Sequence, residues 1–176
     1  MRNSDYGLKI GEAYNAIAKM HGDIKKLLFD CDSLLDEGKA IYENTVVSDL
    51  SYSINASWWF AQYVFRFWDI KKDFVVGVTI PLYGNKLIKE PILICGKIRY
   101  KRSEDGEVNL KHACYRWDLW NAYLFWSGDT KHGSLVRLEM PEKNDDRIEW
   151  IEYISHPLFN IESFDDIRNI FAELKI

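Results

Sequence analysis

The sequence has few cysteines, no long apolar run and no excess of basic residues, and each of these absences excludes a class of protein. Its three cysteines are odd in number and lack Cys-x-x-Cys spacing, so they predict buried thiols in a reducing compartment rather than a disulfide framework. Charged or polar residues interrupt every apolar stretch before it reaches the roughly 20 residues of a membrane span. The net charge of −4 argues against a general nucleic-acid binder, whose surface is normally basic.

The sequence also lacks the short motifs that mark common enzymes and cofactor sites. It contains no GxGxxG, Walker, HExxH or GxSxG motif. A restriction-type nuclease would place a carboxylate two residues before a strand lysine, but Cys95 holds that position before Lys97. We therefore predict no metal and no cofactor. Four basic residues form one strip, which we read as a solvated strand edge beside Glu104 and Asp105: Lys97, Arg99, Lys101 and Arg102.

Length and composition predict one domain with a large core. The 176 residues fall within the usual size of a single domain, and 47% of them are hydrophobic and 15% aromatic. The composition changes near residue 45, from a charged helical repeat with few aromatic residues to dense aromatic and aliphatic segments. This change suggests a helical segment over 1–44, an aromatic-rich β-sheet over 45–160 and a C-terminal helix over 161–176. No apolar segment follows the polar first residues, which predicts a cytoplasmic protein without a signal peptide.

Residues 8–37 carry the clearest periodicity. Apolar residues, with one histidine among them, recur at alternate spacings of four and three, which is the heptad pattern of a long helix. They are Ile10, Tyr14, Ile17, His21, Ile24, Leu28, Cys31 and Leu35. Such a helix spans about 37 Å at ~1.5 Å per residue, whereas a typical strand spans about 17–20 Å. Part of the stripe is therefore expected to extend beyond the sheet.

This excess length predicts a homodimer. Its interface is expected to contain Ile17, His21, Ile24 and Leu28 of the helix. At a dimer seam His21 would face its symmetry mate and make association sensitive to pH. The alternative is a histidine that is partly exposed at the edge of the stripe.

Alternation of apolar and polar residues predicts strands after the helix. Residues 73–82 and 92–101 alternate, and a turn at 103–106 joins the second of them to a strand that starts near Glu107. Residues 134–140 and 147–154 form a second predicted hairpin, which His156-Pro157 ends.

Ser163 is expected to cap a short C-terminal helix. Residues 50–68 and 119–127 fit either a strand or a buried helix, and we favour a strand for 58–68. The sequence thus predicts an α+β fold, an antiparallel β-sheet packed by a long N-terminal helix and a short C-terminal helix.

One polar constellation follows if residues 107–118 form a regular strand. His112, Arg116 and Asp118 would then share a face that begins with apolar residues, and Glu152 holds a similar place in the second hairpin. Because buried charges are costly unless paired, this face predicts a pocket or an internal network. Arg116 would pair with a carboxylate or hold an anionic group of a ligand. The alternatives are a bulge that reverses the register, or a surface pair.

Tryptophan is abundant, with seven residues. Trp117 and Trp120 belong to a set that would either line a cleft for a flat or apolar ligand, or fill the core. The other members of that set are Trp58, Trp59, Trp68 and Trp126.

The absence of catalytic motifs and the excess of aromatic and heptad surface favour a non-enzymatic binding module. It would hold a partner protein or small ligand on an aromatic-rich sheet face or groove, in a role such as defence, anti-defence or immunity. The alternative is a small hydrolase or nuclease that uses His112 with Asp118 or Glu152. A third reading is a structural subunit of a larger complex.

Overall fold

The computed structural model describes most of the chain: residues 3–35, 38–41, 47–48, 61–70, 73–82, 88–102, 118–127, 131–140 and 147–176. Three of the predicted site residues, His112, Arg116 and Trp117, lie outside the described residues. So do Trp58, Trp59 and both predicted hairpin turns.

The described elements follow one another as an N-terminal helix, five strands, a helical segment, two strands and a C-terminal helix. They are α1 (Asn3–Leu34), β1 (Lys39–Ala40), β2 (Val47–Ser48), β3 (Tyr63–Asp69), β4 (Val75–Pro81), β5 (Ile92–Tyr100), α2 (Asp118–Asn121), a π-helix (Ala122–Trp126), β6 (Val136–Glu139), β7 (Ile148–Pro157), a 3₁₀ turn (Leu158–Asn160) and α3 (Phe164–Glu173).

The strands form one antiparallel sheet, which confirms the predicted α+β fold. β3, β4, β5, β7 and β6 lie side by side in that order, and every described pair is antiparallel. β1 and β2 both pair with the outer edge of β3. The predicted hairpin of 134–140 with 147–154 is present as β6 and β7.

The fold resolves what sequence alone left open or misassigned in three segments. The strand favoured over 58–68 is present as β3, at Tyr63–Asp69. The predicted strand over 107–118 is wrong at its end, because Asp118 begins α2. The ambiguous segment 119–127 is helical, with Leu119, Trp120 and residues 122–124 buried and Phe125 exposed.

The solvated strand edge predicted for the basic strip is also wrong. β5 lies in the middle of the sheet, between β4 and β7, and Lys97 is buried there with only 8% of its surface exposed.

Both faces of the sheet carry a core. One face, which we call the α1 face, packs under α1 and α3 and includes Leu28, Cys31, Val78, Leu93, Cys95, Ile154 and Ile167. The opposite face, which we call the α2 face, packs under α2 and the π-helix and includes Phe67, Ile94, Ile98, Leu119, Tyr123, Ile151 and Tyr153. This arrangement explains why the central strands read as nearly continuous apolar runs.

Two glycines make room for α2 on its face of the sheet. Gly77 and Gly96 lie directly opposite each other on β4 and β5. A Cβ atom on Gly96 would lie 2.6 Å from Leu119 Cδ2 and 2.7 Å from the carbonyl oxygen of Glu152, and a Cβ atom on Gly77 would collide with the ring of Phe67. The missing side chains therefore allow Leu119 to approach the sheet backbone.

α1 has two halves with different surroundings. Its C-terminal half packs on the sheet, where Ile24 and Leu28 are buried core residues. Every residue from Asp5 to Lys19 is exposed. At ~1.5 Å per residue the 32-residue helix is about 48 Å long, so its N-terminal half extends beyond the strands as predicted.

α3 begins with the predicted cap. The side chain of Ser163 accepts a hydrogen bond from the N–H of Asp166, and the Asp166 carboxylate accepts one from the N–H of Ser163. This reciprocal capping box holds the start of α3 in place beside α1.

Candidate functional site

Asp118 is a buried carboxylate with 1% of its surface exposed. Its Oδ2 accepts a hydrogen bond of 2.6 Å from the hydroxyl of Tyr100, and its Oδ1 lies 3.0 Å from Nη2 of Arg147. The contacts join the start of α2 to β5 and to the residue before β7. No local sequence pattern points to Arg147 as the partner, because it lies 29 positions away from Asp118.

Glu152 on β7 sits between cations from both neighbouring strands. Its Oε2 lies 2.6 Å from Nζ of Lys97 on β5, and its Oε1 lies 2.6 Å from Nη1 of Arg137 on β6. Burial raises the pKa of Glu152, but the hydrogen bonds from Lys97 and Arg137 outweigh it and hold the pKa below its ordinary value. Glu152 is therefore ionised at neutral pH and paired on both oxygens.

Two aromatic rings cover this charged network. Nζ of Lys97 lies 5.1 Å from the ring centroid of Phe74, and the guanidinium of Arg137 lies 4.8 Å from that of Trp150. The two rings are 6.0 Å apart, between centroids. Cation–π contact of this kind stabilises a partly desolvated cation, so the rings and the ion pairs support each other.

The structure does not bring the predicted carboxylates together. Asp118 bonds to Tyr100, which belongs to the core of the α2 face. Glu152 lies between Ile151 and Tyr153 of that same core, so alternation directs it to the α1 face. Each of their carboxylate oxygens already accepts a short hydrogen bond, which is a structural arrangement and does not favour acid–base chemistry.

The tryptophans that the structure describes are mainly core residues. Trp120 belongs to α2 and is buried in the core of the α2 face. Trp68 is buried under α1, where its indole N–H donates a 2.7 Å hydrogen bond to Asp32 Oδ1. Arg66 binds both oxygens of the same carboxylate, at 2.9 and 3.1 Å. This cluster fastens the C-terminal half of α1 to β3, and the helical period alone gave no indication of it.

A serine–histidine pair lies on β7 and the loop before β6. Nδ1 of His132 is 3.2 Å from Oγ of Ser155, and the His132 ring stacks on Tyr123. A nucleophilic serine has to be reached by its substrate, whereas Ser155 is buried. We read the pair as a packing contact. The neighbouring His156 is also partly buried, which lowers its pKa.

Most of the exposed large hydrophobic residues that the structure describes lie on the N-terminal half of α1. An apolar surface on one side of the helix contains Tyr6, which is 73% exposed, with Ile10, Tyr14 and Ile17. Leu8 is 62% exposed on the opposite side. Of the four predicted interface residues, Ile17 belongs to this surface and His21 lies at its end, half-buried. Ile24 and Leu28 are instead held by the chain's own core.

A groove continues from this surface. It lies between α1 and the start of α3, has a volume of about 420 Å³ and is lined largely by apolar side chains. Phe159 stands at the groove with 62% of its surface exposed. The carboxylates of Asp30 and Glu162 also line the groove, and neither has an ion-pair partner among the described residues.

No protein-family model, curated protein or solved structure matches the chain. Within the described ranges, no helix is long and apolar enough to cross a membrane. The same part of the chain contains no group of three or more His, Cys, Asp or Glu residues placed to hold a metal ion. The exposed half of α1 and the adjoining groove are therefore the candidate site, and its interpretation rests on geometry.

Proposed function

We propose that the chain is a non-enzymatic protein-binding module and that it forms a homodimer through the exposed N-terminal half of α1. The observation that carries this proposal is the position of the apolar stripe. The stripe is buried from Ile24 onward and continues, exposed, back to Tyr6. A continuous apolar surface of this kind on a helix is typical of a protein–protein interface.

The energetics of the helix support the proposal. An isolated helix of about 12–15 residues is marginal in water, because most helix stability in proteins comes from packing. The exposed half also contains Gly7 and Gly11, each of which costs about 1 kcal/mol relative to alanine. A Cβ atom at either glycine would meet nothing within 4 Å, so packing within the chain does not require them. A second helix that packs on this half would supply the missing stabilisation.

The surroundings of the sheet favour α1 over the sheet as the binding surface. Helices cover the core of both faces, and Trp120, which was predicted to bind a partner, has little exposed surface. The carboxylates proposed for hydrolase or nuclease chemistry are each held by two partners. Binding through α1 is therefore the function with the most support.

The test is a pair of double variants measured by sedimentation velocity. Ile10→Glu with Ile17→Glu places charges on the exposed stripe, and we expect it to convert a dimer into a folded monomer. Leu8→Glu with Asn15→Glu is the matched control, because Leu8 and Asn15 are also exposed but lie on the opposite side of the helix. A wild-type protein that remains monomeric at high concentration would contradict the proposal.

A further inference from the structure

We infer that the two copies pack with their α1 helices antiparallel, so that the N-terminal turn of each helix lies in the groove between α1 and α3 of the other copy. This inference rests on the proposed function, since it specifies how the homodimer is built. The occupant of the groove is then a second copy of this chain, specifically its segment around Tyr6.

The exposed surface and the groove form one continuous surface along α1. An unbroken line of residues at spacings of four and three runs along α1: Tyr6, Ile10, Ala13, Ile17, Met20, Ile24 and Leu27. The first four are exposed, and the last three line the groove. Residues at this spacing share one side of a helix, so a helix that packs on the exposed half also reaches the groove.

This line of residues is complementary to its own reversed copy. In an antiparallel pair, residues whose numbers have a constant sum lie opposite each other. With a sum of 30, Tyr6 lies opposite Ile24 and Ile10 lies opposite Met20. Ala13 then lies opposite Ile17, so a small side chain meets a large one. All of these residues belong to the line. Because the pair has two-fold symmetry, each contact occurs twice.

The charges beside the line also fit an antiparallel pair. Lys9 and Asp23 lie on the same flank of the line, and an antiparallel pair brings equivalent flanks together. Lys9 of one copy then comes near Asp23 of the other, which is opposite in charge and lines the groove. In a parallel pair, Lys9 would instead lie level with Lys9 of the other copy, and Asp23 level with Asp23. Opposite charges at the contact favour the antiparallel arrangement.

The groove also has the right chemistry for a tyrosine. Its apolar lining includes Phe159, and a tyrosine offers a large apolar ring with a hydroxyl donor. The carboxylates of Asp30 and Glu162 at the groove have no ion-pair partner among the described residues, and they can accept that hydrogen bond. Tyr6, which is 73% exposed within its own chain, is placed by the register to enter this groove.

Disulfide trapping tests the arrangement in the full chain. Two variants that each add one cysteine, Ile10→Cys and Met20→Cys, are oxidised separately and as a mixture, with the wild type as the blank for its three native thiols. We expect a covalent dimer in the mixture, and little in either variant alone. The reason is that residues 10 and 20 meet across an antiparallel pair, whereas each lies about 15 Å along the axis from its own counterpart.

The possible outcomes separate this inference from the proposed function. Crosslinking of each variant with itself would show a parallel pair and overturn the inference, while leaving the homodimer intact. If a noncovalent dimer forms but no sample crosslinks, the interface lies elsewhere. That result would overturn both the inference and the assignment of the interface to the N-terminal half of α1. A monomer by sedimentation would overturn both proposals.

Charge reversal gives a second, independent test of the register. Lys9→Glu is expected to raise the dimer Kd roughly 3- to 30-fold, from two exposed ion pairs lost per dimer. Adding Asp23→Lys to the same chain should recover most of that loss. The matched control is Lys19→Glu, because Lys19 is exposed on the other side of the helix. If the double reversal weakens the dimer further, Lys9 and Asp23 do not meet.

Discussion

A partly buried row of charges crosses three neighbouring strands of the sheet, with a carboxylate between two cations. Lys97, Glu152 and Arg137 occupy matching positions on β5, β7 and β6. Cross-strand neighbours in register lie close enough to form ion pairs, so the order of the strands assembles the network. Because Lys97 is almost fully buried, removing its partner would leave an uncompensated charge.

Glu152→Gln is expected to lower the free energy of unfolding by about 3 kcal/mol at pH 7, within the range for breaking a buried pair. The pKa of Glu152 is depressed in the folded protein. Its contribution is therefore complete above the ordinary glutamate pKa of about 4.3 and is lost as the pH falls through the folded value. Urea denaturation of wild type and variant at pH 7 and at about pH 3 measures the difference, which should shrink on acidification.

The matched control for this prediction is Glu139→Gln. Glu139 also pairs with Arg137, but its side chain is largely exposed, so the expected cost is below about 1 kcal/mol. Equal losses in the two variants would show that burial of Lys97 does not set the cost.

Sequence reasoning at the residue scale found Asp118 and Glu152 as carboxylates among apolar neighbours but did not find their partners. Arg147 and Lys97 come to them through strand order, which no local pattern reveals. The assignment of Asp118 to a strand failed because a short buried helix and a buried strand have the same apolar composition. Asp118 is buried and pairs with Arg147, whereas its predicted neighbours His112 and Arg116 lie outside the described residues.

Secondary-structure elements meet at a closely packed point where α2 crosses the sheet. Gly77 and Gly96 form a flat site on two paired strands, and Leu119 packs into it. Neither glycine has a positive φ among the described backbone angles. Their role is therefore to leave space and not to permit an unusual turn, which is the other common reason for glycine in a strand.

Gly96→Ala is expected to destabilise the protein by about 1–3 kcal/mol, the usual cost of overpacking a core. The added methyl group would meet both Leu119 and the backbone of β7, and a backbone atom cannot move aside easily. Gly22→Ala is the matched control with the opposite sign. It lies in α1 with open space around it, so it should stabilise the helix by about 1 kcal/mol. Thermal unfolding of both variants tests the pair, and a neutral Gly96→Ala would show that α2 can shift.

The long elements were predictable, and the reason is their periodicity. α1, α3 and the β6–β7 hairpin carry strong patterns or capping residues, such as Ser163 before α3, that act within a few residues. The covering of the α2 face was not predictable, because it depends on a helical segment at Asp118–Trp126 that meets the sheet only in three dimensions. β5 was correctly predicted as a strand, but its central position in the sheet was not.

If the whole molecule is the proposed dimer, its thermal stability should depend on protein concentration. Ligands that bind only the folded state raise Tm by mass action, and a second subunit acts in the same way. We expect the Tm of the wild type to rise as the protein concentration increases from about micromolar to hundreds of micromolar. The Ile10→Glu, Ile17→Glu variant should have a constant Tm over the same range.

Calorimetry at several concentrations measures this dependence, with the Leu8→Glu, Asn15→Glu variant as the control that keeps it. A wild-type Tm that does not change with concentration would argue that folding and association are uncoupled or that no dimer forms. The predicted excess length of α1 was visible in the heptad pattern, but which half is exposed was not. That depended on Asp32, Arg66 and Trp68, which fasten the C-terminal half to β3.

The pairing of β5 with β7 has a consequence for the speed of folding. These two strands are neighbours in the sheet, yet 48 positions separate Tyr100 from its register partner Ile148. Closing a loop of that length costs chain entropy before any contact rewards it, and domains dominated by such distant pairings tend to fold in milliseconds to seconds. Until β7 arrives, β5 presents an unpaired, apolar edge of the kind on which other chains aggregate. During synthesis, that interval lasts until the chain has been made as far as Pro157, so the nascent protein is most vulnerable to aggregation just before its last strand is complete.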